Sequence, residues 1–327
     1  MKAIILAGGE GQRLRPLTKT RPKPLMRVGD RAIIDVMLER LARFGITEVA
    51  VTLGYRGEDI KSEIGKSRNG VNIEYFEEDV PLGTAGSVRN CSRFIEGEAL
   101  VLSGDALTDL DFSEFLSFHL GHGGKVSIAL KKMKKASSFG VAEIGEDARI
   151  SRFVEKPPLP DETEALVNCG IYIINKETVE MIPENTFYDF ARDLFPRIED
   201  KYGFITDAFW CDIGSFSEYR RSNLLTLGDS FFFHPVIEEK SERVTKSVIG
   251  RNSRIMRGAR VNESVVGRHT RIGASSVLEG CILGDGVTVG EGVVIGRDTV
   301  VGDFAVLGDG AVLTSGQKIE PYSVFMG

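Results

Sequence analysis

The sequence has few of the residues that build disulfide scaffolds, metal clusters or membrane spans. Its 327 residues include four cysteines, four histidines and one tryptophan. Cys91, Cys169, Cys211 and Cys281 form no C-x-x-C pair, which argues against a disulfide framework or a zinc ribbon. No apolar run approaches the length that crosses a bilayer, and the run at 1–7 is too short for a signal peptide. We therefore expect a protein of the reducing cytoplasm.

The chain also lacks an excess of positive charge. Lysine and arginine total 41 against 47 aspartates and glutamates, which gives a net charge of −6 at pH 7. Nucleic acid and anionic membranes are bound by basic surfaces, so neither is expected as the main partner. The length exceeds the usual size of a single domain, and two domains are the starting expectation.

What the sequence does have is a glycine-rich segment directly after its first apolar run. The stretch at 6–18 reads LAGGEGQRLRPLT, and PKPL follows at 22–25. Glycine lets the main chain approach a phosphate, and successive N–H groups can then point at the anion. Arg13 and Lys23 add positive charge to this stretch. The pattern predicts a loop that binds a nucleoside triphosphate.

Two better-known glycine loops do not fit the spacing. Counted from Gly9, a dinucleotide fingerprint G-x-G-x-x-G needs glycine where this chain has Leu14. A Walker loop needs Gly-Lys-Ser or Gly-Lys-Thr, and no such triplet follows. On the glycines alone, a structural turn between a strand and a helix stays open as an alternative.

Alternating β-branched runs and amphipathic segments organise residues 1–228. Strands are predicted at Ala3–Leu6, Glu48–Leu53, Asn72–Phe76, Ala99–Ser103, Val126–Leu130 and Val167–Ile174. A helix is predicted at Arg31–Phe44, with Gly45 as its stop. This order is typical of a Rossmann-like α/β domain with a mostly parallel sheet. Ligands of such sheets lie beyond the carboxyl ends of strands, where we expect Gly8, Asp105 and Gly170.

From residue 249 onward, an apolar residue recurs at about every sixth position. The most regular run is Leu283, Val289, Ile295, Val301, Leu307, Leu313 and Ile319. Short fixed periods mark solenoids, and this hexapeptide repeat resembles the left-handed parallel β-helix, with three hexads in each coil. We expect about four coils in a domain at 247–327, a linker at 229–246, and a role of the repeat in homo-oligomer formation.

Six ordered motifs resemble the sugar-1-phosphate nucleotidyltransferase family. After the opening signature come PLGTAG at 81–86, SGD at 103–105, FVEKP at 153–157, NCGIY at 168–172 and WCDIG at 210–214. The PLGTAG motif looks most like the mannose-1-phosphate guanylyltransferase branch. The resemblance implies transfer of a nucleoside monophosphate from a nucleoside triphosphate to a sugar 1-phosphate, with GTP and mannose 1-phosphate as the expected pair.

The same resemblance implies roles for individual residues. Asp105 and Asp212 match the metal-binding aspartates, with Mg²⁺ as the expected ion. Arg13 and Lys23 match the cations that bind the reacting phosphates, and these four residues are the expected catalytic set. The nucleotide-binding positions are Leu6, Gly8, Gly9, Gly11 and Gly83. The sugar-phosphate positions are Gly140, Glu155, Lys156, Asn168 and Gly170.

Other activities stay open at this point. Glucose 1-phosphate with UTP, dTTP or ATP, and heptose 1-phosphate with GTP, would use the same motifs. A non-catalytic regulatory or assembly subunit would be expected to lack Arg13, Lys23 or the aspartates, and all are present. A β-helix that transfers acyl groups is disfavoured, because His269 is the only histidine in that region.

Three local patterns have plainer structural interpretations. His119 and His122, three residues apart on a predicted helix, could bind a metal, but packing is favoured. The lysine-rich stretch at 131–135 is interpreted as a solvated edge or loop rather than a phosphate-binding patch. Asp109 and Asp111 are interpreted as turn and N-cap residues before a helix.

Overall fold

The computed structural model describes residues 1–228 and 243–326 and divides into two compact units. The first unit comprises Met1–Gly9 and Ile34–Asp212, and the second comprises Glu10–Ile33 and the described residues from Ile213 onward. Most of the predicted linker at 229–246, with its aromatic run at 231–233, lies outside the described residues. Within the described ranges, no helix has both the length and the apolar composition that a bilayer crossing requires.

The first unit alternates strands with helices around one large sheet. Its strands are β1 Lys2–Leu6, β2 Glu48–Leu53, β3 Ser67–Arg68, β4 Val71–Glu77, β5 Glu98–Ser103, β6 Ala106–Thr108, β7 Val126–Met133, β8 Gly140–Ile144, β9 Ile150–Glu155, β10 Ala165–Asn175, β11 Lys201–Ile205 and β12 Trp210–Asp212. Its helices are α1 Ile33–Arg43, α2 Gly57–Ile64, α3 Gly83–Asn90, α4 Phe112–His122 and α5 Lys176–Glu180.

The centre of the sheet is parallel, and its further strands are mainly antiparallel. The strand order is β9-β8-β10-β5-β1-β2-β4-β3, with β7 on β10 and β11 on β7. Strands β5, β1, β2 and β4 run parallel, because helices return the chain to the same edge. Strand β10 pairs antiparallel with β5. The predicted α/β class is confirmed, with a mixed sheet that has a parallel centre.

The predicted strands are confirmed, and most are longer by one or more residues at an end. The helix predicted at Arg31–Phe44 is shorter, because Arg31–Ala32 instead pairs with Arg27–Val28 as a two-stranded hairpin. Gly45 does end the helix, with φ +72° and an N–H donated to Ala42. A positive φ of this kind favours glycine at the end of a helix.

Gly8 and Asp105 follow the carboxyl ends of β1 and β5, but Gly170 does not lie at a strand end. It lies inside β10, where the register with β7 shifts between Asn168 and Tyr172. Because β10 is antiparallel to β5, its interior passes the end of β5. A Cβ on Gly170 would lie 3.2 Å from Ser103 Cβ. Gly170 therefore lies near the carboxyl end of β5, as predicted, although it does not end its own strand.

The second unit contains a parallel β-helix with three faces, each a five-stranded sheet. The first face contains Val244–Thr245, Arg260–Asn262, Val277–Glu279, Val294–Ile295 and Val312–Leu313. The second face contains Val248–Ile249, Val265–Val266, Ile282–Leu283, Val300–Val301 and Lys318–Ile319. The third face contains Arg254–Ile255, Arg271–Ile272, Thr288–Val289, Val306–Leu307 and Val324–Phe325.

This arrangement is that of the left-handed β-helix that the hexads predict. All seven residues of the most regular run lie on strands and belong to, or pack against, one hydrophobic core. The helix has five levels rather than about four, because its first strand begins at Val244, ahead of the predicted start at 247. Each coil uses 17 or 18 residues, as the pairs Val261–Leu278 and Ile295–Leu313 show.

The second face of the β-helix is covered within its own unit, whereas the first face exposes a row of valines. On the second face, the outward residues Val248, Val265, Ile282 and Val300 are at most 4% exposed. On the first face, Val294 and Val312 are 42% and 58% exposed. The covering elements are helix α6 (Phe216–Leu225) and the stretch Glu10–Ile33, which we call the signature segment.

A small cavity shows how this cover packs. Its volume is about 40 Å³, and its lining includes Leu17 and Met26 of the signature segment, Tyr219 of α6, and Val265 and Ile282 of the second face. Burying such side chains is worth about 1.5 to 3 kcal/mol each. The signature segment therefore gains stability from the β-helix beneath it.

The packing predicts a position-dependent cost for shortening valines of the β-helix. Val289→Ala should lower the free energy of unfolding by about 2 kcal/mol, because Val289 is buried in the core and the change leaves a cavity. Val312→Ala, at an exposed site on the first face, should cost less than about 0.5 kcal/mol. Urea unfolding followed by circular dichroism measures both, and equal costs would contradict the assigned inward and outward register.

Candidate active site

Three strand ends of the first unit meet around Gly8. The Gly104 N–H donates to the Leu6 carbonyl at 2.9 Å, and the Tyr55 N–H donates to the Gly8 carbonyl at 3.2 Å. A Cβ on Gly104 would lie 2.5 Å from the Leu6 oxygen, and one on Gly54 would lie 2.7 Å from the Gly8 oxygen. These two glycines let the main chains approach, so the ends of β1, β2 and β5 converge.

Gly54 and Gly104 were not singled out in the sequence analysis. The available signal was a glycine directly after an apolar strand, as at Leu53-Gly54 and Ser103-Gly104. Gly9 differs from both, because a Cβ there would meet no atom within 4 Å. Open space beside an exposed Gly9 leaves room for a ligand at the carboxyl end of β1.

Asp105 and Asp212 are brought together by a short antiparallel pair. Strands β6 and β12 align Ala106 with Asp212, so Asp212 lies across from the residue that follows Asp105. Asp105 Oδ1 accepts a hydrogen bond from Ser103 Oγ at 2.5 Å. Both carboxylates are partly buried.

The β6–β12 pair that holds them depends on Asp109, a carboxylate for which a turn role was predicted. Asp109 Oδ1 accepts the N–H of Phe209 at 2.5 Å, and Thr108 Oγ1 donates to the Phe209 carbonyl at 2.9 Å. Asp109 therefore braces β12 against β6, and its interpretation as a turn residue was wrong. Asp111 caps α4 as predicted, accepting the N–H groups of Ser113 and Glu114.

The chemistry of this pair fits a magnesium ion. Mg²⁺ takes one or two carboxylates and keeps its other positions for water and phosphate oxygens. Structural zinc usually needs four protein ligands. In the described part of the chain, no group of three or more histidines, cysteines and carboxylates is placed to hold a metal. Two carboxylates are within the number of protein ligands that Mg²⁺ uses.

Gly83 is required by the backbone that packs against it. It has φ +72° at the start of α3, and a Cβ there would lie 2.7 Å from the Tyr188 carbonyl oxygen. That oxygen accepts the N–H groups of Ala85 and Gly86 at 2.9 and 3.0 Å. The expected contact between Gly83 and a base stays a prediction, because the Tyr188 approach already explains this glycine.

Glu78 is a functional candidate that the sequence analysis missed. Its Oε2 accepts the Leu82 N–H at 3.2 Å, while its Oε1 is buried without a hydrogen-bond partner among the described residues. A Cβ on Gly8 would lie 3.6 Å from that Oε1. A buried acceptor without a protein partner is costly, so Glu78 is a candidate to accept a hydrogen bond from a ligand beside the glycine loop. The available signal was a carboxylate directly after β4.

Gly140, Glu155 and Lys156 lie together on the β8–β9 hairpin. Gly140 pairs with Glu155, and a Cβ on Gly140 would lie 3.0 Å from Glu155 Oε2 and 2.6 Å from the Phe153 ring. Lys156 Nζ lies 3.2 Å from Glu155 Oε1. The hairpin thus holds an acceptor and a cation side by side.

Asn168 and Gly170 lie next to this hairpin, because Val141 of β8 pairs with Val167 of β10. Asn168 Oδ1 accepts the Gly170 N–H at 2.9 Å, and its Nδ2 donates to the Tyr172 hydroxyl at 2.9 Å. Burial raises the pKa of Tyr172 above its usual range, which keeps this hydroxyl neutral. Asn168 therefore holds the irregular turn of β10 at Gly170, and its contact with a sugar stays a prediction.

The remaining predicted residues belong to the signature segment of the second unit. Gly11 has φ +63°, and its carbonyl accepts Thr18 Oγ1 at 2.9 Å. A Cβ on Gly11 would lie 3.5 Å from Lys23 Cβ, so Gly11 and Lys23 are neighbours. Lys23 is buried on a short helical turn, while Arg13 is exposed on another. Glu10 pairs with Arg15.

The two histidines form part of the packing between α4 and β7. His119 contacts Ser127 Oγ at 2.9 Å and Glu98 Oε2 at 3.0 Å, and His122 contacts the same hydroxyl at 2.8 Å. Burial, with a smaller contribution from His119, lowers the pKa of His122 to about 4. His122 also stacks on Tyr202. These contacts agree with the packing interpretation.

The lysine-rich stretch is engaged with neighbouring protein groups. Lys131 Nζ donates to the Ala208 carbonyl at 2.5 Å. Lys132 and Lys134 form exposed ion pairs with Glu164 and Glu162. The interpretation as a solvated edge agrees with these contacts.

Two family models match the chain. The model described as Nucleotidyl transferase matches residues 2–227, and the model described as GMPPB C-terminal domain matches residues 234–324.

Proteins with similar sequences carry related activities in their names. The mannose-1-phosphate guanyltransferase of Saccharomyces cerevisiae is 36% identical over 69% of this chain and 65% of its own length. That of Kluyveromyces lactis is 34% identical over 76% and 71%. A UTP–glucose-1-phosphate uridylyltransferase of Synechocystis is 34% identical over 67% and 61%. The chain thus spans about two thirds of the length of these relatives.

Solved structures show the same fold over the matched part. HddC from Yersinia pseudotuberculosis, also solved in complex with GMP-PN, has a TM-score of 0.61 and 26% identity, covering 68% of this chain and 97% of its own. A putative glucose-1-phosphate thymidylyltransferase from Bacillus anthracis has a TM-score of 0.62 and 26% identity, covering 72% and 98%.

Proposed function

The chain belongs to the nucleotidyl transferase family, and from this premise we propose that it transfers GMP from GTP to mannose 1-phosphate, with release of pyrophosphate. The observation that carries the choice of base is the buried Oε1 of Glu78, which has no partner among the described residues and lies beside Gly8. The names of the yeast relatives support the choice of sugar.

A carboxylate accepts hydrogen bonds, so it discriminates between bases by the hydrogen-bond donors that each base presents. The Watson–Crick edge of guanine carries two adjacent donors, the N1–H and the 2-amino group. Uracil and thymine offer one ring N–H between two carbonyl acceptors, and adenine offers its amino group next to an acceptor nitrogen. A buried acceptor-only group repels those acceptors and leaves fewer hydrogen bonds formed. Glu78 therefore favours guanine over the bases in the alternative substrate pairs.

The reaction joins two anions, so the protein must offset like charge. A phosphate oxygen of the sugar 1-phosphate attacks the α-phosphorus of GTP, and the bond from that phosphorus to the bridging oxygen breaks as pyrophosphate leaves. We assign Arg13 and Lys23 to the triphosphate, where their positive charge stabilises the transferring phosphoryl group. Orientation of the two reactants supplies a further part of the rate.

Enzymes of this family generally use a divalent metal, and we assign Mg²⁺ to Asp105 and Asp212. When bound, the ion would neutralise charge on phosphate oxygens. Ser103 donates to Asp105 and fixes its carboxylate, and the β6–β12 pair fixes Asp212 opposite Ala106. The residues of the chain therefore hold both carboxylates in place before any substrate arrives.

For the sugar, we assign the β8–β9 hairpin. Glu155 accepts from a sugar hydroxyl, and Lys156 pairs with the sugar phosphate. Gly140 is required because a side chain there would press on Glu155 and Phe153. In the structure, Lys156 lies 3.2 Å from Glu155, so phosphate binding would compete with this exposed ion pair at little cost.

The assigned metal site predicts the effect of removing one charge. Asp105→Asn should reduce turnover of GTP and mannose 1-phosphate by at least about 100-fold, because the amide is a poor Mg²⁺ ligand. The fold should remain intact, which circular dichroism and thermal unfolding check. Turnover like that of the unaltered protein at saturating Mg²⁺ would contradict the metal assignment.

The base assignment predicts a second, more selective effect. Glu78→Gln should lower kcat/KM for GTP by about 10- to 100-fold, because the variant loses charge-assisted hydrogen bonds to guanine. The KM for mannose 1-phosphate should change less than about twofold. Initial rates with each substrate varied in turn measure both quantities.

The matched control is Glu77→Gln, because Glu77 is the preceding carboxylate and is exposed, where it pairs with Lys61. It should retain the kcat/KM of the unaltered protein. An unchanged GTP constant in Glu78→Gln, or an equal loss in both variants, would remove Glu78 from the base site.

A further inference from the structure

The signature segment rests on the second face of the β-helix through a charged network as well as apolar packing. At the centre of the network is Asp285, in a turn of the β-helix. Its Oδ1 accepts the Arg268 N–H at 2.8 Å. Its Oδ2 accepts Nη2 of Arg21 at 2.6 Å and Nη1 of Arg27 at 3.0 Å. One carboxylate thus joins the β-helix backbone to two guanidinium groups of the segment.

Asp303, in the next coil, also joins the β-helix backbone to the signature segment, but its partner in the segment is the neutral side chain of Thr20. Its Oδ1 accepts the Asp285 N–H at 2.8 Å, and its Oδ2 accepts Oγ1 of Thr20 at 2.7 Å. The side chain is buried, with 5% of the residue exposed. Asp30 of the segment in turn pairs with Arg268 of the β-helix. The signature segment thus donates hydrogen bonds to carboxylates of the coils, and its own Asp30 accepts one from a coil.

The network is shielded from water. The side chain of Asp285 is 15% exposed, and those of Arg27 and Arg21 are 17% and 27% exposed. Burial alone would raise the pKa of Asp285, but Arg21, the Arg268 N–H and Arg27 together outweigh it and hold that pKa below its usual value. Ion pairs in such places are screened little by salt, and breaking one leaves an unpaired charge.

The fold of the β-helix does not explain why these arginines converge. Asp309 makes the same turn hydrogen bond to the Glu291 N–H, at 2.8 Å, and its side chain is exposed. Asp285, Asp303 and Asp309 therefore share one local role in the coils. Asp285 and Asp303 have a second one, which is to hold residues 20–27.

We propose that Asp285 and Asp303 are positioning residues for nucleotide binding, which hold the signature segment in the shape that presents Arg13 and Lys23. The β-helix is then part of the catalytic machinery in addition to any role in assembly. The kinetic part of this proposal rests on the proposed function. The sugar phosphate is assigned to residues of the first unit, so its binding should not depend on Asp285.

The kinetic test compares Asp285→Asn with Asp309→Asn in the full-length chain. Asp285→Asn should raise the KM for GTP or lower kcat/KM for GTP by at least about tenfold, while the KM for mannose 1-phosphate stays within about twofold. Asp309→Asn should match the unaltered protein in both constants. Equal effects of the two variants, or parallel changes in both substrate constants, would overturn the positioning role.

A second measurement does not depend on the reaction. Hydrogen–deuterium exchange of the ligand-free protein should show faster exchange of amides at 10–33 in Asp285→Asn, with core amides of the β-helix unchanged. Asp309→Asn should show no such change. Unaltered exchange at 10–33 in a folded Asp285→Asn would overturn the proposal. If the unaltered protein transfers no nucleotide at all, the proposed function fails, and exchange alone decides whether Asp285 holds the segment.

Where Asp285→Asn does not fold, Arg21→Gln tests the same bond from the segment side. It removes the shorter of the two ion pairs of Asp285 but leaves the Arg27–Asp285 pair and the Arg268–Asp285 turn hydrogen bond in place. It should reproduce the change in the GTP constants and in the exchange of residues 10–33, and a variant identical to the unaltered protein in both would overturn the proposal.

Discussion

The parallel pairing of β1 with β5 is the constraint from which the site of the first unit follows. Leu6 lies opposite Ser103, so the glycine loop and Asp105 leave the sheet at the same level. Gly104 allows this, because any side chain there would meet the Leu6 carbonyl. Strand β10 then passes the same edge in the opposite direction at Gly170. The glycine loop, which we assign to phosphate, and Asp105, which we assign to the metal, become neighbours through strand register alone.

Opposing charges explain how an acidic chain can handle anionic reactants. The net charge is −6, yet the groups assigned to phosphates are Arg13, Lys23 and Lys156, and the Mg²⁺ proposed for Asp105 and Asp212 would add positive charge. Glu78 differs from these groups because it is a carboxylate. A carboxylate near a triphosphate is unfavourable unless it accepts hydrogen bonds from the base. In the second unit, Asp285 also offsets opposite charge, because its carboxylate pairs with two arginines of the signature segment.

Local patterns in the sequence predicted the repeating parts of the fold, and the long-range contacts decided the rest. Periodicity gave the strands and the hexads, because each depends on neighbours a few residues away. The hairpin that shortens α1, the register shift at Gly170 and the brace from Asp109 depend on residues far along the chain. Glu78 and Asp285 carry no motif, and only burial and partners distinguish them from ordinary surface carboxylates.

Several expectations concern properties beyond one chain or one fold. Four of them stay predictions, namely the domain limits at 228 and 247, the homo-oligomer, the cytoplasmic location and the individual roles of the site residues. The family, the α/β domain and the β-helix are confirmed by the matched models and the sheet topology. The ordered motifs were informative because several of them place a glycine beside a charged residue, as SGD at 103–105 and WCDIG at 210–214 do.

The most direct test of the account is pyrophosphate release by the purified full-length protein with Mg²⁺. GTP, UTP, dTTP, ATP and CTP would each be combined with the 1-phosphates of mannose, glucose and N-acetylglucosamine. We expect release with GTP and mannose 1-phosphate at a rate at least about tenfold above every other pair. Preference for another base or sugar, or no release from a folded protein with any pair, would contradict it.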